Sequence, residues 1–291
     1  MDQMSLHPAF RLLPVLALFG CDRPAPRAIP AAPRLSTYEA RGVLRKIDAP
    51  RGKAVIAHET ITGFMEAMTM EFDVPDAASL AALQPGDALA FRLNVDDTRS
   101  WIDRVKKTGR SEVATPAATA MESLQPGAPL PDCPLVDSRG VVFHLGDFKG
   151  RALAFTFIFT RCPLPDFCPL MNRNLAAAHR ALTADTARTN WHLLSISFDP
   201  QYDTPERLAA YASPYLADSA RWTFATGEIA DVQKLGEAFG LLVARNGEQI
   251  DHTLRTVVVD AAGRVQKIFV GNEWSAAELI GEMQRAMDAK P

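Results

Sequence analysis

From Gly127 onward the chain alternates short apolar runs with amphipathic stretches of helical length, and that alternation restricts it to an α/β layer arrangement around a central sheet. The run 152–159 reads as a buried strand, 169–182 as a helix, 191–197 as a strand, and 204–216 as a helix opened by Asp203-Thr204-Pro205-Glu206. A strand at 222–225, a helix at 229–239, a hairpin of 254–259 with 264–270 and a last helix at 275–287 complete the unit. The two halves share no internal repeat.

Before Gly127 the texture differs. Short β-like runs at 42–47, 54–58, 68–74 and 89–95 are punctuated by the turns Ala49-Pro50-Arg51-Gly52 and Gln84-Pro85-Gly86-Asp87, with no helix longer than 76–83. Such spacing in about seventy residues predicts a five-stranded barrel or sandwich. The composition, 47% hydrophobic and 22% charged with four cysteines among 291 residues, excludes collagen-like, disordered and disulfide-scaffold chains. A net charge of −3 supplies no basic field for nucleic acid, and none is expected as a partner.

At the N-terminus, Arg11 precedes an apolar stretch, 12–20, too short to span a bilayer as a helix. Residues 1–20 read as a signal peptide, the other reading being a short buried helix. The stretch ends Leu18-Phe19-Gly20-Cys21, which resembles the bacterial lipobox, implying that Cys21 is lipidated; Asp22 resembles an inner-membrane retention signal. Residues 21–37, with Pro24, Pro26, Pro30 and Pro33, suit a semi-extended tether, 38–108 an all-β unit, 109–127 a linker and 128–291 the α/β unit.

Two groups of residues carry chemistry. His58 stands near Met65, Met68 and Met70, and imidazole with thioethers selects Cu(I) or Ag(I). Because Met68, Met70, Phe72 and Val74 alternate with Thr69, Glu71 and Asp73, the methionines also suit core filling. Cys162 and Cys168 follow a buried strand and open a helix, whose N-terminus favours thiolate; Arg161 adds positive charge nearby. A redox or metal pair is expected there, with a structural disulfide as the alternative. Cys133 has no ligand type near it except Asp132 and is read as a buried residue, and His144, His179 and His192 have no context that singles them out. His252, just ahead of a strand, makes a soft three-coordinate site with the two cysteines possible.

Residues 38–108, with Val55-Ile56-Ala57-His58 and Ala67-Met68-Thr69-Met70-Glu71-Phe72, resemble the CusF-type periplasmic copper-binding domain. The resemblance implies a small OB-like barrel that binds Cu(I) through His58, Met68 and Met70, and Met65 stands where some members carry a tryptophan. Residues 126–288 resemble the SCO/SenC family in Phe157-Ile158-Phe159-Thr160-Arg161-Cys162-Pro163, Cys168-Pro169, Ser197-Phe198-Asp199-Pro200, Asp203-Thr204-Pro205 and Asp251-His252. This implies a thioredoxin-like fold in which Cys162, Cys168 and His252 bind Cu(I) or Cu(II) for the Cu(A) centre of cytochrome oxidase, with Asp251 and Asp199 supporting or docking the site. The family's usual three residues between cysteines are five here.

The expected protein is a lipid-anchored copper chaperone on the periplasmic side of a bacterial inner membrane, with an OB-like barrel preceding a thioredoxin-like domain. Its expected partner is the oxidase subunit carrying Cu(A), and copper is expected to pass from barrel to cysteines within one chain. A thiol-disulfide oxidoreductase acting on the apo-oxidase subunit, and a copper-sequestering tolerance protein, are the alternatives.

Overall fold

A computed structural model describes residues 34–65, 67–111, 123–215, 220–241, 243–246 and 249–289. The signal peptide, Cys21, most of the tether and most of the expected linker lie outside the described residues. The described residues form one compact unit. Among the described residues, no helix is long and apolar enough to cross a membrane.

Strands β1 (Ser36–Asp48), β2 (Lys53–His58), β3 (Met68–Asp73), β4 (Asp87–Val95) and β5 (Ser100–Arg110) form one antiparallel sheet in the order β3-β2-β1-β4-β5. Strand β1 is long enough to serve two partners: its first half pairs with β4 and its second, from Gly42 on, with β2, a pairing whose register shifts between Leu44 and Lys46. Where β1 crosses β2, Gly42 lies opposite His58, and a Cβ there would stand 2.6 Å from the Ala57 carbonyl oxygen and 2.8 Å from His58 Cα. Only glycine allows that approach.

The all-β expectation holds, with a correction to its closure. Strands β3 and β5 come near each other without pairing, so the five strands make an open sheet instead of a closed barrel. Strand β5 escaped the sequence reading because beyond Ile102 it is an exposed, charge-rich edge, and it continues through Gly109 and Arg110 into the stretch read as linker. The expected helix at 76–83 is a single 3-10 turn, Ala77–Leu80, that buries only Leu80 before Pro85 ends any extension.

The second half begins with the hairpin β6 (Pro134–Asp137) and β7 (Val142–His144), then β8 (Ala152–Ile158), α1 (Cys168–Ala184), β9 (Trp191–Ser197), α2 (Pro205–Ala212), β10 (Trp222–Thr226) and α3 (Ile229–Ala238). A small hairpin of β11 (Val243–Asn246) and β12 (Gln249–His252) follows, then β13 (Arg255–Val259), β14 (Val265–Val270) and α4 (Ala276–Asp288). The main sheet has the order β14-β13-β8-β9-β10-β6-β7, with β8, β9 and β10 parallel and the outer strands antiparallel. Every residue of β8 and β9 is buried, as parallel strands covered on both faces require. Helix α1 packs Met171, Leu175, Ala178 and Leu182 inward, and α4, opened by a Ser275–Glu278 capping box, packs Leu279, Met283, Ala286 and Met287. The hairpins β6–β7 and β11–β12 were not read from sequence, being too short to show a period; α2 stops at Ala212, short of the expected 216.

Candidate metal centres

In the N-terminal sheet, register sets His58 opposite Met68 and Ile56 opposite Met70. Directly opposed residues share a face, so the imidazole and both thioethers rise from the same side. Met70 is buried and Met68 half-buried. The loop after β2 is drawn in by a backbone bridge, Ile61 N to Met65 O at 2.8 Å and Met65 N to Ile61 O at 3.1 Å, which buries Met65 in the same core. Phe72 meets the His58 ring edge-on at 5.7 Å.

His58 Nδ1 lies 2.8 Å from the Glu59 carbonyl oxygen. A carbonyl only accepts, so the proton sits on Nδ1 and Nε2 presents a lone pair. That Nε2 is buried without a hydrogen-bond partner among the described residues. An unsatisfied buried group costs about 1–3 kcal/mol, and a soft monovalent cation would satisfy it together with the thioethers. Burial pushes the His58 pKa below the ordinary imidazole value, against the opposing hydrogen bond to Glu59.

In the second half, β8 delivers the chain into a turn pinned by Asp203. This buried carboxylate accepts from Thr160 N at 3.0 Å, from Thr160 Oγ1, and from Ser197 Oγ at 2.5 Å. Cys162 follows, its N–H donating to the Phe159 carbonyl at 3.3 Å, and Cys168 is the first residue of α1, with Pro169 next. Both are free thiols, Cys162 half-buried and Cys168 buried. Burial would raise the Cys162 pKa, but hydrogen bonds from the Cys168 side chain and backbone outweigh it and lower the value. Burial, with the hydrogen bond and charge of Cys162, holds Cys168 well above the ordinary thiol range. Of the two, Cys162 is the more readily deprotonated sulfur.

The guanidinium of Arg161 is engaged away from the sulfurs. Its Nη2 donates to the buried Asp199 at 2.8 Å, and its guanidinium lies 4.1 Å over the Tyr202 ring. His252 ends β12 between Phe159 and Phe198, with ring centroids 5.2 and 4.8 Å away. Its Nδ1 is 3.1 Å from the Thr253 carbonyl, and burial lowers its pKa to about 4, so the ring is neutral near pH 7. Asp251 lies in β12 opposite Ala244, and its side chain is outside what is described.

Among the described residues, no three His, Cys, Asp or Glu side chains are gathered closely enough to hold a metal ion. The cysteine pair is assembled, and His252 stands at the same end of the sheet without closing the set. Cys133 is a buried thiol pushed up to about 11, chiefly by burial. His144 pairs with Asp132, His192 with Thr223, and His179 packs on Trp191 and Trp222. Strand β12, which carries His252, lies against β3, which carries Met68 and Met70.

The SCO1/SenC family model matches residues 128–288, more than half of the chain. The chain belongs to the SCO1/SenC family. Residues 37–107 match a second model, described as copper binding periplasmic protein CusF. Similar proteins include a Stutzerimonas stutzeri protein named for copper binding, 35% identical over 112 residues, which are 38% of this chain and 52% of that one. The SCO1 protein homolog of Bacillus subtilis (strain 168) is 29% identical over 133 residues, 44% of this chain and 67% of that one. The chain thus spans about half the length of the first of these relatives. Among solved structures, a SCO1/SenC family lipoprotein from Bacillus anthracis superposes with a TM-score of 0.51 at 26% identity, covering 57% of this chain and 99% of that one.

His192, buried, and His252, half-buried, have a consequence for acid stability. Burial lowers His252 to about 4 and His192 to about 3, against about 6.5 for an unfolded histidine. On acidification the unfolded state takes up protons first, so stability that is full above about pH 6.5 is lost progressively as pH falls toward those folded values. The urea midpoint should fall steadily between pH 7 and pH 4. A midpoint that stays flat over that range would show these rings to be solvated.

Proposed function

We propose that this protein is a copper chaperone that captures Cu(I) at His58, Met68 and Met70, with Met65 as a further donor or cap, and passes it to Cys162, Cys168 and His252. The unpartnered, buried Nε2 of His58, on the same face as two thioethers, supports capture most directly. Passage is supported by β12 lying against β3. The step is ligand exchange at constant oxidation state: Cys162, then Cys168, releases its proton as its sulfur displaces a neutral thioether, and the added anionic charge favours the forward direction. Cu(I) in the first site, and Cu(I) or Cu(II) in the second, follow from these donor types.

The family, and the copper binding in the names of relatives, support delivery to the cytochrome c oxidase subunit that carries Cu(A). Export, with a lipid anchor on Cys21 at the periplasmic face of the inner membrane, completes the reading. In it the chain comprises a CusF-like module at 38–108 and an SCO-type module at 128–291. Asp199 then holds Arg161 beside the site, and Asp251 flanks His252. A second reading, thiol-disulfide exchange on the apo-oxidase subunit, is favoured by two free thiols at the turn into α1, of which Cys162 is the more readily deprotonated.

Anaerobic Cu(I) titration of the full chain tests the copper reading. The reduced protein should take up two equivalents and the protein with a Cys162–Cys168 disulfide only one, because a disulfide offers no thiolate. Retention of both equivalents after quantitative oxidation would exclude cysteine ligation. Loss of the second equivalent in His252→Ala, with disulfide reduction spared, would establish both activities as separable. Failure of oxidase assembly in cells lacking the protein distinguishes delivery from storage.

A further inference from the structure

The segment between the cysteines is long but tightly held. Leu164 and Phe167 are buried, and Phe167 N donates to the Leu164 carbonyl at 3.2 Å. Arg173 Nη2 donates to the Pro165 carbonyl at 2.6 Å, and Asn272 Nδ2 to the Asp166 carbonyl at 2.9 Å. The remaining hold comes from the other sheet. The Asp166 carboxylate, 6% exposed, accepts from Ser100 N at 2.9 Å through Oδ2 and from Ser100 Oγ at 2.9 Å through Oδ1. Ser100, 4% exposed, is the first residue of β5. Glu273, beside Asn272, is held by Arg51 at 2.7 Å and by Lys53 at 3.5 Å, so the Asn272 contact also leads back to the N-terminal sheet.

We propose that Ser100 and Asp166 are a positioning pair through which the N-terminal sheet fixes the separation and orientation of Cys162 and Cys168. The two residues by which this segment exceeds the usual family spacing give it the length to reach β5. Cys162 lies two residues beyond the Thr160–Asp203 hold and Cys168 sits in the first turn of α1, so both sulfurs move with the segment between them. Without the Ser100 hydroxyl the backbone N–H still serves Oδ2, but Oδ1 of the buried Asp166 loses its donor, and the segment relieves this by lifting toward water. The effective concentration of one sulfur at the other then falls. This deepens the copper reading, because a thiol pair preset by the sheet that captures the metal is suited to receive it.

Equilibrium of the full chain with reduced and oxidised dithiothreitol tests the proposal without copper. One disulfide forms between Cys162 and Cys168 as the cyclic reagent disulfide opens to its dithiol, so two electrons and two protons pass from protein to reagent. The disulfide-to-dithiol ratio, read by mass spectrometry of alkylated Cys162 and Cys168, should fall roughly three- to tenfold in Ser100→Ala. Ser100→Thr, which keeps both donors, should restore it. An unchanged ratio in folded Ser100→Ala overturns the proposal. Should circular dichroism show that Ser100→Ala does not fold, Asp166→Asn takes its place, with a lowered ratio expected and an unchanged one decisive against. Because the assay holds no copper, its failure leaves the copper reading standing, and failure of the titration above leaves this pair untouched.

Discussion

Replacing Met68 and Met70 together by leucine should weaken Cu(I) binding at the N-terminal site at least about a hundredfold, since losing two direct ligands exceeds the 10–100-fold seen when only a ligand's support is removed. The fold should survive. Leucine keeps the volume and apolar character that the buried Met70 and half-buried Met68 supply, and such swaps cost less than about 1.5 kcal/mol each. His58 remains with its lone pair exposed to the vacated position, so the residual binding should be that of one imidazole. Competition against a chromophoric Cu(I) chelator measures the loss, and a melting curve measures the fold. Unchanged affinity with an unchanged melt would reduce both methionines to core filling, the other reading their alternation allows.

Asp203→Ala should be the most damaging single change in the second half. It leaves Thr160 N, Thr160 Oγ1 and Ser197 Oγ without their shared acceptor, in a place where Asp203 itself is fully buried. Orphaned buried donors around a lost carboxylate cost roughly 3–5 kcal/mol, which in a unit of this size lowers Tm by about 6–20 °C. Asp203→Asn, which keeps one acceptor, should lie in between. A drop of only a degree or two in the alanine variant would show that water replaces the carboxylate. The same change frees the turn ahead of Cys162, so thiol reactivity should shift along with stability.

The same residue marks the limit of what could be read beforehand. Asp203-Thr204-Pro205-Glu206 was legible as a helix opener, and Thr204 does cap α2 by accepting from Arg207 N at 3.4 Å. That Asp203 turns the other way, onto the cysteine turn, depends on β8 and β9 being neighbours, which local spacing does not encode. The strands β8 and β9 were legible because burial on both faces leaves a continuous apolar run. Strand β5 was not, since an exposed edge carries charge on both sides. For the candidate sites, the donor types were visible in the chain, but not the tautomer that bares His58 Nε2, the pairing of Arg161 with Asp199, or the distance that still separates His252 from the thiols as a closed set. Ser100 and Asp166 gave no signal at all: a serine after an Asp-Asp-Thr-Arg turn and an aspartate between prolines are ordinary surface residues until the two sheets meet.

The contacts that join the two sheets, Ser100 with Asp166 and Arg51 with Glu273, are 66 and 222 residues apart in the chain, whereas each sheet is built largely from hairpins and neighbouring strands. Each sheet is closed by continuous backbone ladders, whereas these junction contacts are side-chain hydrogen bonds and ion pairs, which have less cooperative support. The lowest-lying partly open form of the protein is then one in which both sheets stay intact and only their junction has parted. Amide hydrogens at the start of β5 and in the segment after Cys162 would exchange through that opening well before those of β8 or β9, and limited proteolysis would reach the cysteine segment by the same route.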